Sequence, residues 1–370
     1  MAGIYIHIPF CKSACHYCNF HFSTSLRYKP ELLNALAKEI VLQRPYLSGE
    51  SLETVYFGGG TPSLCTVEEL QALVRTIREN YTVTTDAEVT IEVNPDDITS
   101  EKLEGWKAAG VTRLSIGLQS FFEEDLRWMN RAHTAEQAKN TLEMALTYFP
   151  NITIDLIYGV PGLTDEKWKM NIDTALSMGI PHLSCYALTV EPKTPLDKLI
   201  RTQQKEPVDP DKQSDQFLYL MERLEAAGFE HYEISNFAKP GFRSRHNSSY
   251  WKGRPYLGIG PSAHSFNDNS RQWNVANNQQ YIAALEKNEI PFEIEVLTKD
   301  QQRNEKIMIG LRTMEGLDIS DWDEVAKMKI AADAKHYIIR GLMESDGSVY
   351  KLTKEGRLLA DGIASELFSI

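Results

Sequence analysis

Apolar residues in this chain follow two alternating rhythms. Short apolar-rich runs at 3–8, 52–57, 88–93, 113–117, 152–157 and 183–188 are separated by longer stretches with apolar positions every three or four residues. The short runs have the length and composition of buried strands, and the long stretches have the period of amphipathic helices. After the first run, Leu32, Leu33, Leu36, Ile40 and Leu47 fall on one side of a helix expected over 30–46. Thr66 and Glu69 have capping-box spacing at the head of a helix over 66–80, and Gln137 stands in the same relation to Thr134. Gly110 reads as the C′ glycine that closes the third helix, and a later helix ends near Gly179. Six such units predict an α/β fold, a parallel sheet curling into a partial (β/α)6 TIM-like barrel. An open doubly wound sheet is the alternative.

The rhythm changes after Thr202. Residues 203–210 read as a linker, 211–227 as a helix and 229–235 as a further strand. Two segments follow, His246-Asn-Ser-Ser-Tyr-Trp251 and Gly258-Ile-Gly-Pro-Ser-Ala-His-Ser-Phe266, whose Gly, Ser, His and aromatic content reads as ligand-facing loops. Helical periodicity returns from Val296 to Arg312 and over 318–340. A hairpin is expected over 343–353, turning at Asp346-Gly347, and a last helix over 358–368. The expected division is a barrel over 1–235, an extension over 236–295, and a small winged-helix-like α+β domain over 296–370.

With 42% hydrophobic residues, the 370-residue chain can bury a large core. No apolar run approaches membrane-spanning length, and a strand is expected almost at Met1, with no room for a leader. A net charge of −12 argues against a general nucleic-acid binder, which needs a basic face. Three of the five cysteines are clustered, which points to a reducing compartment and a cytoplasmic protein.

The clustered cysteines carry the chemistry. Cys11, Cys15 and Cys18 stand in C-x3-C-x2-C spacing just after the first strand. Thiolate is the ligand of iron–sulfur clusters, and a [4Fe–4S] cluster held by three cysteines keeps one iron open for another ligand. A structural zinc site completed by His16 or His21 is the alternative. Polar and glycine residues gather at the ends of the expected strands: Gly59 and Gly60, Glu92, Gln119, and Asp155 within the fifth. Parallel β/α folds build their sites at strand C-terminal ends, and the cysteine loop leaves the same end. Arg131 follows soon after. His246 could ligate a heme iron, with Tyr250 and Trp251 offering flat faces to a porphyrin. A loop histidine reads equally well as solvated or hydrogen-bonded, and His264 has the same two readings.

The C-x3-C-x2-C motif resembles that of the radical S-adenosylmethionine (SAM) superfamily. The whole chain resembles the oxygen-independent coproporphyrinogen III oxidase family, and most closely its HemW branch. The resemblance rests on Tyr5-Ile-His-Ile-Pro-Phe-Cys11, Phe57-Gly-Gly-Gly-Thr-Pro62, Ile91-Glu-Val-Asn-Pro95, Ser115-Ile-Gly-Leu-Gln-Ser-Phe121, Asn130-Arg-Ala-His133 and Asp155-Leu-Ile-Tyr-Gly-Val-Pro161. It implies that Cys11, Cys15 and Cys18 hold a [4Fe–4S] cluster. It places Tyr5, Tyr17, Gly59, Glu92 and Gln119 around SAM, with Gly60, Thr61, Arg131 and Asp155 nearby. The decarboxylating enzymes carry a fourth cysteine where this chain has Phe20, and an extension ahead of the first strand; here four residues precede Tyr5. His246-Asn-Ser-Ser-Tyr-Trp251 matches the H-N-x-x-Y-W signature of the HemW branch, which makes His246 the expected heme ligand. The resemblance therefore implies a heme chaperone that receives electrons from a donor and delivers heme to respiratory proteins at the membrane. It allows a homodimer and peripheral membrane association through partners. The alternative it leaves is oxidative decarboxylation of coproporphyrinogen III through a 5′-deoxyadenosyl radical.

Overall fold

The six short apolar runs become strands β1 Ala2–Ile8, β2 Leu52–Gly59, β3 Val83–Val93, β4 Arg113–Gln119, β5 Ile152–Tyr158 and β6 His182–Ala187. The computed structural model describes residues 2–368. Each of the six pairs in parallel with the next in chain order. The sheet does not close. Beyond β6 lies an antiparallel hairpin of β7 Glu230–Glu233 and β8 Asn236–Ala238. Beyond β1 lies β9 Tyr256–Ile259, followed by antiparallel β10 His264–Phe266, β11 Ser270–Asn274 and β12 Phe292–Val296. The result is a partial barrel within one 12-stranded sheet.

Strand alternation assigns the two faces. Ile4, Ile6, Ile8, Val55, Phe57, Val89, Ile91 and Val93 are buried in the main core with helix residues such as Leu32, Leu36 and Ile40. The opposite face carries Tyr5, His7, Tyr56, Glu92, Arg113 and Asp155, so the inside of the curl is polar. Much of this face is hydrogen-bonded across the sheet, although Arg113 Nε and Nη2 are buried without a hydrogen-bond partner. Thr153 Oγ1 lies 2.6 Å from His182 Nδ1, and His182 Nε2 lies 2.7 Å from the Tyr232 hydroxyl. Ser184 donates to Asn236 at 2.9 Å. The capping boxes at Thr66 and Thr134 form as their spacing predicts.

Two expectations change. Residues 246–251 are not a loop but part of the helix Arg245–Trp251, in which His246 is buried. Its N-terminal amides of Arg245 and His246 donate to the Glu88 carboxylate at 3.0 and 2.9 Å, a tertiary N-terminal cap invisible in local spacing. Residues 258–266 fall partly in β9 and β10 rather than in one loop, because the edge of β1 needs a partner. The strand expected over 229–235 forms as β7, and β8 follows it to complete a hairpin. Two short helices, Glu123–Met129 and Pro195–Arg201, lacked a periodic signal.

The C-terminal segment has its own hydrophobic cluster, including Ile307, Leu311, Ile330, Tyr337, Tyr350 and Ile363. Helices Lys299–Leu311 and Glu324–Ile339 pack with a small sheet of β13 Leu317–Asp318, β14 Met343–Ser345 and β15 Val349–Leu352. The expected last helix forms as Ala360–Glu366, preceded by the short helix Lys354–Arg357. Among the described residues no helix is long and apolar enough to cross a membrane.

One buried carboxylate ties the β9–β12 end of the sheet to the barrel. Glu39, on the helix Lys29–Leu42, accepts from Gly260 N at 2.8 Å, Asn274 Nδ2 at 2.7 Å and the Tyr281 hydroxyl at 2.5 Å. Burial pushes its pKa up to about 7, against the pull of those donors. The folded protein thus holds this proton more tightly than the unfolded chain does. The Glu39 contribution to stability should decline as pH rises from about 4.5 to about 7. Denaturant unfolding across that range should show a steeper decline for wild type than for Glu39→Gln. Glu39→Ala, which strands three buried donors, should cost ~2–3 kcal/mol at any pH in the range.

Candidate functional site

The chain leaving β1 is held by backbone contacts. Gly60 N donates to Ile8 O at 2.9 Å and Thr61 N to Phe10 O at 2.6 Å. A Cβ on Gly60 would stand 2.6 Å from Phe10 O and 2.7 Å from Phe10 N, so only glycine permits the approach. The base of the cysteine loop is closed by Cys11 N to Ser23 O at 3.0 Å and Ser23 N to Pro9 O at 2.8 Å. Its far side is strapped by His16 N to Met129 O at 3.1 Å, Asn130 Nδ2 to Ala14 O at 2.8 Å and Leu196 N to His16 O at 2.8 Å. The short helices Glu123–Met129 and Pro195–Arg201 therefore both serve this loop.

These contacts place Cys11, Cys15 and Cys18 at a cavity of about 400 Å³ over the C-terminal strand ends. Tyr17, Gly59, Gly60, Thr61, Glu92, Gln119, Arg131 and Asp155 line the same cavity, so most of the expected site is brought together. Glu92 accepts from the Tyr56 hydroxyl at 2.8 Å and Gly59 N at 3.1 Å. Burial, with the neighbouring Asp155 charge, nevertheless pushes its pKa up to about 7. Burial likewise raises Asp155 to about 6, opposed by Arg131 and Arg113. Arg131 donates to Cys15 Sγ at 3.3 Å, and to Asn94 Oδ1 and Gly117 O at 2.7 Å each. The Thr61 hydroxyl lies 3.6 Å from Cys11 Sγ. Burial pushes the Cys11 thiol up to about 11 and raises Cys18 too, so a metal taken up here must displace protons.

Three features mark the cavity as built for a polar ligand. Gln119 Oε1 and Arg131 Nε are buried without a hydrogen-bond partner. Gln119 also sits at φ 66°, a left-handed conformation uncommon for a side-chain-bearing residue. Two poised carboxylates and one guanidinium suit a zwitterion, since an incoming ammonium would draw the Glu92 proton away.

Tyr5 and His246 lie elsewhere. Tyr5 stacks on Tyr56 with centroids 6.0 Å apart, hydrogen-bonds His7 Nδ1 at 3.1 Å, and lines a second, larger cavity. His246 is buried and lines neither cavity. Its Nδ1 lies 2.8 Å from Thr54 Oγ1 and its Nε2 2.7 Å from the Tyr250 hydroxyl, while its ring stacks on Tyr56 at 4.9 Å. To bind iron the ring would have to surrender one of these bonds. Asn94 and Tyr56 were missed as site residues. Asn94 was legible, because it stands inside the quoted Ile91–Pro95 motif, whereas nothing local marked the Tyr56 hydroxyl. The zinc alternative finds no support: His16 Nδ1 is bonded to Trp128 O and His21 Nε2 to Asn278 Oδ1.

Comparison with known proteins defines the class first. The model of the radical SAM superfamily matches residues 5–175, and that of the HemN C-terminal domain matches 297–359. The fold is similar to that of coproporphyrinogen III oxidase (HemN) from Escherichia coli, with a TM-score of 0.84 and 26% identity over 100% of this chain and 90% of that one. The heme chaperone HemW of Mycobacterium tuberculosis is 34% identical over 99% of this chain and 94% of its own length. That of Bacillus subtilis is 34% identical over 98% of both chains. The chain therefore belongs to the HemW family within the radical SAM superfamily. That superfamily uses a [4Fe–4S] cluster and SAM. The residues present fit both: three thiols on one loop, and a polar pocket beside them with unpartnered buried atoms.

Because the loop rests on a backbone contact, Gly60→Ala should loosen it while sparing the barrel. Overpacking there should cost ~1–3 kcal/mol. Limited trypsin digestion should cut after Lys12 faster in the variant, with far-ultraviolet circular dichroism unchanged.

Proposed function

We propose that this chain is a HemW-type heme chaperone, which binds heme beside a SAM-binding [4Fe–4S] site and delivers it to heme-requiring respiratory proteins at the membrane. The observation that carries the reading is the end-to-end similarity to heme chaperones from two distant bacteria. In this reading Cys11, Cys15 and Cys18 hold the cluster. Glu92, Gln119, Arg131 and Asp155 bind the polar end of SAM, with Tyr17, Gly59, Gly60 and Thr61 shaping its pocket. Tyr5 stacks on Tyr56, whose hydroxyl donates to Glu92 at the edge of that pocket. The reading includes an electron donor for the cluster and allows a homodimer. The cluster supplies low-potential reducing power to a bound SAM; these residues orient the ligand and exclude water from it.

A second reading, coproporphyrinogen III oxidation, is favoured by the fold match to HemN. Against it, the position of that family's fourth cysteine holds Phe20, which is 66% exposed and lines both cavities. An aromatic wall there favours a flat apolar cargo over further thiolate chemistry.

Anaerobically reconstituted protein titrated with heme should show saturable binding by its Soret band. The reduced, SAM-supplied protein should leave coproporphyrinogen III unconverted in a product assay. Conversion to the divinyl product would establish the second reading instead. Serine at any one of Cys11, Cys15 and Cys18 should bring reconstituted iron and sulfide to background.

A further inference from the structure

We propose that the larger cavity seats the iron tetrapyrrole and that His264, rather than His246, supplies its axial nitrogen; this rests on the heme-carrier reading above. The cavity measures about 1000 Å³. That is at the top of the ~300–1,000 Å³ range of small-molecule sites, ample for a rigid macrocycle. Its walls bring together distant parts of the chain. The cysteine loop contributes Asn19 and Phe20, the β9–β10 region Tyr256 and His264, and the C-terminal helix Lys299–Leu311 contributes Met308 and Ile309.

An axial ligand must present a free lone pair to the cavity, and the histidines differ in this respect. His7 is engaged at both nitrogens, by the Tyr5 hydroxyl at 3.1 Å and His21 O at 2.9 Å. His21 is tied through Nε2 to Asn278 Oδ1 at 2.7 Å and held against the His7 ring at 6.2 Å. That leaves only its Nδ1 without a hydrogen-bond partner among the described residues, against both nitrogens of His264. His246 is engaged at both nitrogens and shut out of the cavity. Neither ring nitrogen of His264 has a hydrogen-bond partner among the described residues; the ring is exposed and stacks at 6.2 Å on Trp273. Burial and the nearby Arg271 lower its pKa, so the imidazole is neutral with its lone pair available at neutral pH.

The surroundings suit a flat ring. Phe266, two residues along β10, shares the His264 face. Tyr256 packs 6.4 Å from Phe266 and Tyr250 packs 4.6 Å from Tyr256, forming an aromatic row beside the imidazole. Among the cations of the wall, Arg271 and Lys306 are paired with Glu305 and Asp321, whereas Lys252 has no partner among the described residues and suits a propionate. The roles within His246-Asn-Ser-Ser-Tyr-Trp251 are thereby divided. His246 anchors the helix inside the barrel, and Tyr250 and Trp251 form the cavity wall.

The test is a ferric heme titration of the full, cluster-loaded chain, read by Soret absorbance and low-temperature electron paramagnetic resonance. His264→Ala should weaken binding at least tenfold and abolish the nitrogen-ligated signal, and added imidazole should restore that signal. His246→Gln should retain the wild-type spectrum while lowering the melting temperature. Unchanged affinity and spectrum in His264→Ala would overturn the assignment and leave the heme-carrier reading standing. Failure of the wild type to bind heme would overturn that reading itself.

Discussion

The approach of Gly60 to the chain leaving β1 sets the position of the site. Two strand ends meet backbone to backbone, with Gly60 N on Ile8 O and Thr61 N on Phe10 O. The contact fixes where the cysteine loop begins and turns the Gly59 amide toward Glu92. A side-chain contact could be rebuilt by another residue of similar size. A main-chain contact lacking room for a Cβ cannot, because the clashing atoms belong to the backbone itself.

The polar interior of the barrel explains why the parallel strands are not followed by a mere appendage. His182, Ser184, Glu88 and Thr54 are buried on the inner face. Leaving such groups unpaired would be costly. Their partners come from the second half of the chain: Tyr232 for His182, Asn236 for Ser184, the amides of Arg245 and His246 for Glu88, and His246 for Thr54. The hairpin and the helix Arg245–Trp251 thus complete the barrel chemically as well as sterically. Breaking one of these pairs would expose a desolvated partner on the other half.

The same economy joins the two cavities. Asn19 and Phe20 line both, so the loop that carries the thiols also walls the larger space. A change in loop position on cluster binding would be felt directly by a ligand on the other side. The C-terminal segment supplies the remaining wall and is fastened near the β7–β8 turn, where Ile234 N meets Arg312 O at 3.0 Å and Arg312 meets Glu233 at 3.2 Å.

What the sequence by itself determined is what local spacing can encode. It includes the order of the six parallel strands, the caps at Thr66 and Thr134, the three thiols on one loop, and the polar residues at strand ends. All depend on period, turn chemistry or short ligand spacing, which few distant contacts can override. The tertiary structure alone decided which groups satisfy one another. Glu88 lies about 158 residues from the amide it caps at His246, and Thr54 lies 192 from the imidazole it holds. A segment rich in His and aromatics reads as an open loop until those partners are known. With them in place it is a helix, its buried histidine an anchor and its aromatics a wall. Hydrogen-bond satisfaction is a property of the assembled interior, and no window of neighbouring residues contains it.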